Sequence, residues 1–167
     1  TIRGVKGRNG LCWLKFVGRW VAHEVSALTA CELPKSLSIR IAFAPAFVEK
    51  RLAAALVADE AGDIAAAHRE IEAALELAPK EPRAQALAGV YCGLLDRDCE
   101  ALIHARRALR LTENAVPELR AEVAYWVGVA RHMVGAHDSA VQALDLSLEL
   151  APGDEAATTL RERCLKM

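Results

Sequence analysis

The sequence predicts an all-α fold in which antiparallel helix pairs stack side by side. One pattern recurs three times: a turn residue is followed twelve positions later by the segment Ala-Leu-Glu-Leu or a near variant. The turn residues are Gly62, Asp96 and Gly135, so the unit recurs every 34 to 39 residues. A period in this range indicates hairpin units that bury their apolar faces only against neighbouring copies.

Composition agrees with a helical array and excludes two classes of function. Of the 167 residues, 53% are hydrophobic but only 5% are aromatic, so alanine and leucine supply the apolar fraction and favour helix. Lys and Arg number 21 against 22 Asp and Glu, which argues against a nucleic-acid binder that neutralises phosphates. No apolar run reaches about 18 residues, so we expect no membrane insertion.

The elements follow in order from helical periodicity. We predict helices at residues 9–17, 19–33, 46–60, 63–77, 82–94, 97–111, 117–134, 137–150 and 154–165. Pro82 and Pro117 suit first helical positions, and Asp154 suits the N-cap of the last helix, which would cap the array. Residues 35–45, with the alternating segment Ser38-Ile39-Arg40-Ile41, are predicted as a connector or a short extended piece.

Small residues recur at two positions of each unit, seven before the turn residue and five after it. They are Ala55, Gly89 and Gly128 on the first helices, and Ala67, Ala101 and Ala140 on the second helices. We expect the two helix backbones to approach closely there, so a leucine at Ala67 or Ala101 should overpack the pair. Similar bulk at Ala156 or Ala157, on the capping helix, should matter less. Gly62 and Gly135 can adopt positive φ without penalty, and Asp96 is an acceptable substitute.

This pattern resembles the tetratricopeptide repeat (TPR) family. The residues that carry the resemblance are Ala55, Gly62, Ala67, Ala74 and Pro79 in the first unit, Gly89, Ala101 and Ala108 in the second, and Gly128, Gly135, Ala140 and Pro152 in the third. The departures are Asp96, Glu113 and Ser147, and no unit has the large aromatic residue that the family favours early in its first helix. The resemblance implies an α-solenoid, a right-handed superhelix of antiparallel helix pairs whose first helices line a concave groove.

A fourth, degenerate copy is one interpretation of the N-terminal segment. Gly18-Arg19-Trp20 followed by Ala30-Cys31-Glu32-Leu33-Pro34 aligns with the turn and second helix of the first clear unit. The alternative is an irregular segment whose apolar residues cover that unit. We therefore divide the chain into residues 1–45, with the possible degenerate repeat and the connector, and residues 46–167, with three repeats and a C-terminal capping helix.

The groove face can be traced by offset from the turn residues, as the family resemblance implies. The predicted partner-binding residues are Leu56, Leu87, Val90, Tyr125, Trp126, Val129 and His132. This face is apolar at its centre, acidic toward the first unit and aromatic toward the last. It complements a protein or peptide with an apolar anchor and a basic residue. A family subgroup clamps a C-terminal carboxylate with Lys and Asn at such positions, and this chain has neither there. Leu56, Leu87 and Val129 have an alternative role in packing between repeats.

The sequence contains cysteines and histidines, but their spacing forms no recognisable catalytic or metal-binding motif. The five cysteines, at positions 12, 31, 92, 99 and 164, form no C-x-x-C pair, and their odd number on helices predicts buried thiols in a reducing compartment, the cytoplasm. Cys12, His23 and Cys31 have no close ligand spacing for zinc. His104, His132 and His137 are predicted as ordinary solvated or packed histidines. We therefore expect no catalytic residues, no metal and no cofactor.

The predicted function is a non-enzymatic scaffold that binds a partner peptide or helix in its concave groove. The alternative is a self-associating architectural module, a homo-oligomer with Trp13, Phe16 and Trp20 as an interface. A third class, an enzyme or metal protein with an unrecognised site, is the least favoured because no motif indicates one.

Overall fold

The computed structural model describes residues 35–167, with side chains from residue 45 onward. This part of the chain forms seven helices and no strand. They are α1 (Lys35–Glu60), α2 (Ile64–Leu77), α3 (Pro82–Leu94), α4 (Asp98–Leu111), α5 (Pro117–Met133), α6 (His137–Leu150) and α7 (Glu155–Cys164). Arg51–Met167 form one compact unit. None of the seven helices combines the length and the apolar character that crossing a bilayer requires.

The predicted helices from residue 63 onward are confirmed to within one residue at each end. The connector predicted for residues 35–45 is wrong, because α1 begins at Lys35 and includes Pro45. The four-residue alternation from Ser38 to Ile41 is short, and the alanines and leucines on either side favour helix. The helices predicted at 9–17 and 19–33, and with them the degenerate repeat, lie outside the described residues. The division of the chain at residue 45 stays a prediction.

Three turns join the helices into hairpins, and each turn has a residue with positive φ. Gly62 has φ 80° between α1 and α2, Asp96 has φ 58° between α3 and α4, and Gly135 has φ 73° between α5 and α6. The turn residues predicted from the repeat are therefore confirmed. In the left-handed region glycine carries no Cβ penalty, and aspartate is one of the few other residues that visit it.

Close helix approach explains the small residues. A Cβ added to Gly89 would lie 3.1 Å from the backbone oxygen of Ala101, and one added to Gly128 would lie 2.6 Å from Cγ of Leu144. Ala101 has no exposed surface. The predicted close packing inside the hairpins is thus confirmed. The expectation for Ala157 is wrong, because that residue is completely buried against α6, whereas its neighbour on α7 at position 156 is exposed.

The hairpins pack in sequence, and their first helices also pack against each other: α3 against α5, and α5 against α7. A core cluster that includes Val90, Val123 and Val127 fills the space between them. Ser147 stands where the other units have alanine, and its buried hydroxyl donates a hydrogen bond of 2.9 Å to the backbone oxygen of Ala121. α5 and α7 are in direct contact, and the pocket described next lies between them.

Candidate functional site

A pocket of about 480 Å³ lies between α5 and α7. Both helices are the first of their units, so the pocket lies on the face that was predicted as the groove. Its lining residues are Tyr125, Val129 and Met133 of α5, with Glu155, Ala156, Thr159, Leu160 and Arg163 of α7. The three residues from α5 are spaced by four positions and therefore form one stripe of the helix.

The pocket has an apolar wall and opposite charges near its two ends. Met133 is 43% exposed, whereas Tyr125 is half-buried and its ring lies edge-on to that of Trp126, with centroids 5.1 Å apart. Burial, with the nearby charge of Asp154, raises the pKa of the Tyr125 hydroxyl. Glu155 lies in the first turn of α7 and Arg163 in its last turn, so α7 presents a negative charge at one end and a positive charge at the other.

The predicted groove residues divide into three groups. Tyr125 and Val129 line the pocket, although only 9% of Val129 is exposed. Leu87 and Val90 are each 5% exposed and offer little surface to a partner. The remaining three differ from one another. Leu56 on α1 is 41% exposed, whereas Trp126 is partly buried against the core cluster. His132 contacts other polar groups, as described below.

The residues that α7 contributes were not predicted from the sequence. The sequence predicts this helix only as a cap, whereas in the structure Leu160 and other residues of α7 line the pocket. The order of the helices in the sequence indicates this role of α7. Because α7 follows α6 just as α5 follows α4, it occupies the place of the first helix of a further unit. A helix in that place borders the groove as well as closing the array.

Three potential ligand atoms meet where α5 and α7 end and α6 begins. Nδ1 of His132 lies 3.3 Å from Nδ1 of His137 and 3.4 Å from Sγ of Cys164. One ligand atom from each residue lies within 4.8 Å of the other two. Burial, with the charges of His137 and Arg163, lowers the pKa of His132 and so favours the neutral form of its imidazole. Burial raises the pKa of the Cys164 thiol, which Arg163 partly opposes.

A second cysteine–histidine pair lies between the first two hairpins. Sγ of Cys92 is 3.5 Å from Nε2 of His68, and the Arg97 guanidinium is 3.3 Å from the same nitrogen. Because guanidinium nitrogens only donate, Nε2 accepts and Nδ1 carries the proton toward Glu72, 3.6 Å away. Burial is the main cause of the raised pKa of the Cys92 thiol. Since Cys92 is 1% exposed, a substrate could not reach it, and the pair serves packing.

A buried glutamine links the first two hairpins in a similar way. Nε2 of Gln85 donates to the backbone oxygen of Pro79 at 2.8 Å, and its Oε1 accepts from Nδ1 of His104 at 2.7 Å. Burial lowers the pKa of His104, which favours the neutral ring. This histidine is therefore packed, as predicted. Cys92 and Cys164 are buried free thiols, as predicted, whereas Cys99 is exposed, so the prediction of buried thiols is wrong for that residue. Cys12, His23 and Cys31, whose spacing argues against a zinc site, lie outside the described residues.

Comparison with solved structures finds similar folds. A mutant of the O-GlcNAc transferase of Thermobaculum terrenum superposes with a TM-score of 0.63 and 26% identity over 74% of this chain, which spans only 23% of the transferase chain. The second TPR domain of human RPAP3, in complex with the HSP70 peptide SGPTIEEVD, has a TM-score of 0.58 and 16% identity, and the match covers 74% of this chain and 99% of that one.

The first TPR of Spaghetti (RPAP3), bound to the HSP90 peptide SRMEEVD, gives a TM-score of 0.56 at 17% identity, with 74% of this chain and 90% of that chain covered. No protein-family model and no curated protein matches the sequence. The likeness is therefore one of fold. Together with the repeat spacing and the three positive-φ turns, it shows that the described part of this chain has the tetratricopeptide repeat fold.

Proposed function

We infer that this domain is a non-enzymatic interaction module that holds a segment of a partner protein against the pocket between α5 and α7. The observation that carries this inference is the pocket itself, whose apolar wall consists of Tyr125, Val129, Met133 and Leu160. Its volume of about 480 Å³ falls among those of ligand-binding pockets, roughly 300 to 1,000 Å³. An apolar side chain of the partner would bury its surface against this wall.

The charges on the same face restrict the chemistry of the partner. Asp59 and Glu60 are exposed at the end of α1, and Glu155 borders the pocket at the opposite end of α7 from Arg163, so a basic residue would be favoured on the Glu155 side of the apolar anchor. The peptides in the two RPAP3 complexes end in Glu-Glu-Val-Asp. The groove positions traced on α1, α3 and α5 have no Lys or Asn to hold such an acidic terminus. We therefore propose a partner with an apolar and basic segment.

Affinity capture with the full chain, followed by mapping of the shortest binding peptide, tests this proposal. The dissociation constant of that peptide is then measured by fluorescence anisotropy. Met133→Glu places a charge on the pocket wall and should weaken binding at least 10-fold, about 1.4 kcal/mol. The matched control is Ile103→Glu on α4, because Ile103 is 50% exposed and does not line the pocket. Circular dichroism checks that both variants fold.

Equal dissociation constants for Met133→Glu and Ile103→Glu would move the binding surface away from this pocket. Trp126→Ala is a poorer probe, because Trp126 packs against the core cluster and its loss would also destabilise the domain. If the chain captures no partner and instead self-associates with increasing concentration, the alternative of an architectural module is favoured. Its predicted interface residues, Trp13, Phe16 and Trp20, belong to the part of the chain that the structure does not describe.

A further inference from the structure

We propose that His132, His137 and Cys164 form a zinc-binding site in which three protein ligands leave a fourth position for water. The site lies where α5 ends, α6 begins and α7 ends. Two imidazoles and one thiolate are a donor set that suits zinc, a borderline-soft cation, and does not suit calcium or magnesium. This inference is independent of peptide binding by the pocket.

Two of the three distances between the ligand atoms match the edges of a zinc tetrahedron. Zn–N bonds of about 2.05 Å and Zn–S bonds of about 2.3 Å give N···N edges of about 3.3 Å and N···S edges of about 3.6 Å. The structure has 3.3 Å between the two Nδ1 atoms and 3.4 Å between Nδ1 of His132 and Sγ of Cys164. The remaining separation is at most 4.8 Å, so a side-chain movement of about 1 Å completes the triangle.

Hydrogen bonding permits such a geometry, since Nε2 of His68 likewise faces both Cys92 and Arg97, but it satisfies only one of the two contacts well. An Nδ1 atom has either one hydrogen or one lone pair, so it makes one well-directed hydrogen bond in the plane of its ring. Nδ1 of His132 nevertheless faces both Nδ1 of His137 and Sγ of Cys164. A cation between the three atoms would accept a lone pair from each of them. All three contacts would then be satisfied together.

The backbone around the site favours a cation there. His132 lies in the last turn of α5 and Cys164 is the last residue of α7, so two negative helix ends face the site, against the single positive end of α6 at His137. The two histidines are partly exposed, which gives an ion a path in, whereas the thiol is 4% exposed. Arg163 opposes the cation, but its side chain is exposed and therefore screened by water.

Substitution with Co²⁺ tests the site directly in the full chain. We expect one Co²⁺ per chain, visible d–d bands and a thiolate-to-cobalt charge-transfer band in the near ultraviolet, all displaced by Zn²⁺. Cys164→Ser should abolish the charge-transfer band, whereas the matched control Cys99→Ser, on an exposed cysteine of α4, should keep it. His137→Gln should weaken the affinity for Co²⁺ by about 100-fold or more, since even the loss of groups that only orient ligands costs about 10- to 100-fold.

Two results with the wild-type chain and Cys164→Ser would overturn the proposal. One is a wild-type chain that shows no charge-transfer band at millimolar Co²⁺. The other is a band that persists unchanged in Cys164→Ser, which would assign the thiolate to another cysteine, such as Cys12 or Cys31. If Cys164→Ser does not fold by circular dichroism, His137→Gln decides alone, because that side chain is partly exposed and its replacement leaves the core intact. An unchanged affinity in that variant would also refute the site.

Discussion

Replacing Gly128 by alanine provides a sharp test of how the third hairpin packs. The added Cβ would lie 2.6 Å from Cγ and 2.7 Å from Cδ2 of Leu144, whereas carbon atoms in contact are about 3.5 to 4.0 Å apart. Leu144 has no exposed surface, so its side chain cannot swing into solvent to make room. Either the side chain leaves its rotamer or α5 and α6 separate by about 1 Å.

The expected magnitude combines two opposing effects. Overpacking of a close-packed core costs roughly 1 to 3 kcal/mol. Alanine is a better helix former than glycine by about 1 kcal/mol, which partly offsets that cost. We therefore expect Gly128→Ala to lower the free energy of unfolding by about 1 kcal/mol and the midpoint temperature by about 4 °C, measured by urea and thermal denaturation.

A double-mutant cycle separates the two effects. Leu144→Ala removes the three atoms that meet the added methyl group, although it is itself destabilising by about 2 to 5 kcal/mol. In that background Gly128→Ala should become stabilising by about 1 kcal/mol, because only the helix-propensity gain remains. A stabilising effect of the same size in the wild-type background would refute the close approach of α5 and α6 at this position.

Two further predictions concern stability. Ala101→Leu should destabilise the domain by about 1 to 3 kcal/mol in urea unfolding, because Ala101 is completely buried at the helix contact. The control Ala156→Leu, on the exposed side of α7, should change the free energy of unfolding by less than about 0.5 kcal/mol. Equal effects of the two substitutions would contradict the helix register. Burial, with the charge of Asp59, raises the pKa of Tyr91 from 10.0 to about 12, so the protonated phenol stabilises the fold below pH 10 and this contribution is lost between pH 10 and 12. At about pH 11 this loss amounts to about 1.4 kcal/mol. When the pH is raised to about 11, the unfolding free energy of Tyr91→Phe should therefore decrease by about 1.4 kcal/mol less than that of the wild type. Identical pH dependences of the two proteins would exclude the buried, protonated phenol.

The hairpins could be predicted from the sequence because local backbone geometry restricts which residue types can occupy particular positions. A turn with positive φ selects glycine or aspartate, and a close helix contact selects alanine or glycine, so Gly62 and Ala67 identify their hairpin without any knowledge of its neighbours. The start of α1 could not be predicted in this way. Pro45 and a short polar alternation are typical of a connector, yet the helix includes both.

The site was harder to predict, because it depends on which way each side chain faces. Tyr125 and Trp126 are adjacent and both pack on the core cluster, but one step along a helix turns the side chain by about 100°, so only Tyr125 also lines the pocket. The histidine pair across the turn was visible in the sequence. The third proposed zinc ligand, Cys164, lies 32 positions after His132 in the sequence, and only the packing of α7 brings it next to the two histidines.

The hydrogen bond from Ser147 to the backbone oxygen of Ala121 gives the third hairpin an identity of its own. Engineers who regularise repeat arrays replace each departure from the common pattern, and here that would mean Ser147→Ala. The variant would lose a link between α5 and α6 that the equivalent alanines of the other hairpins, Ala74 and Ala108, cannot make. Because both partners lie within the third hairpin, the bond is kept when that hairpin is moved as a unit, whereas an array that exchanges single helices between hairpins would lose it.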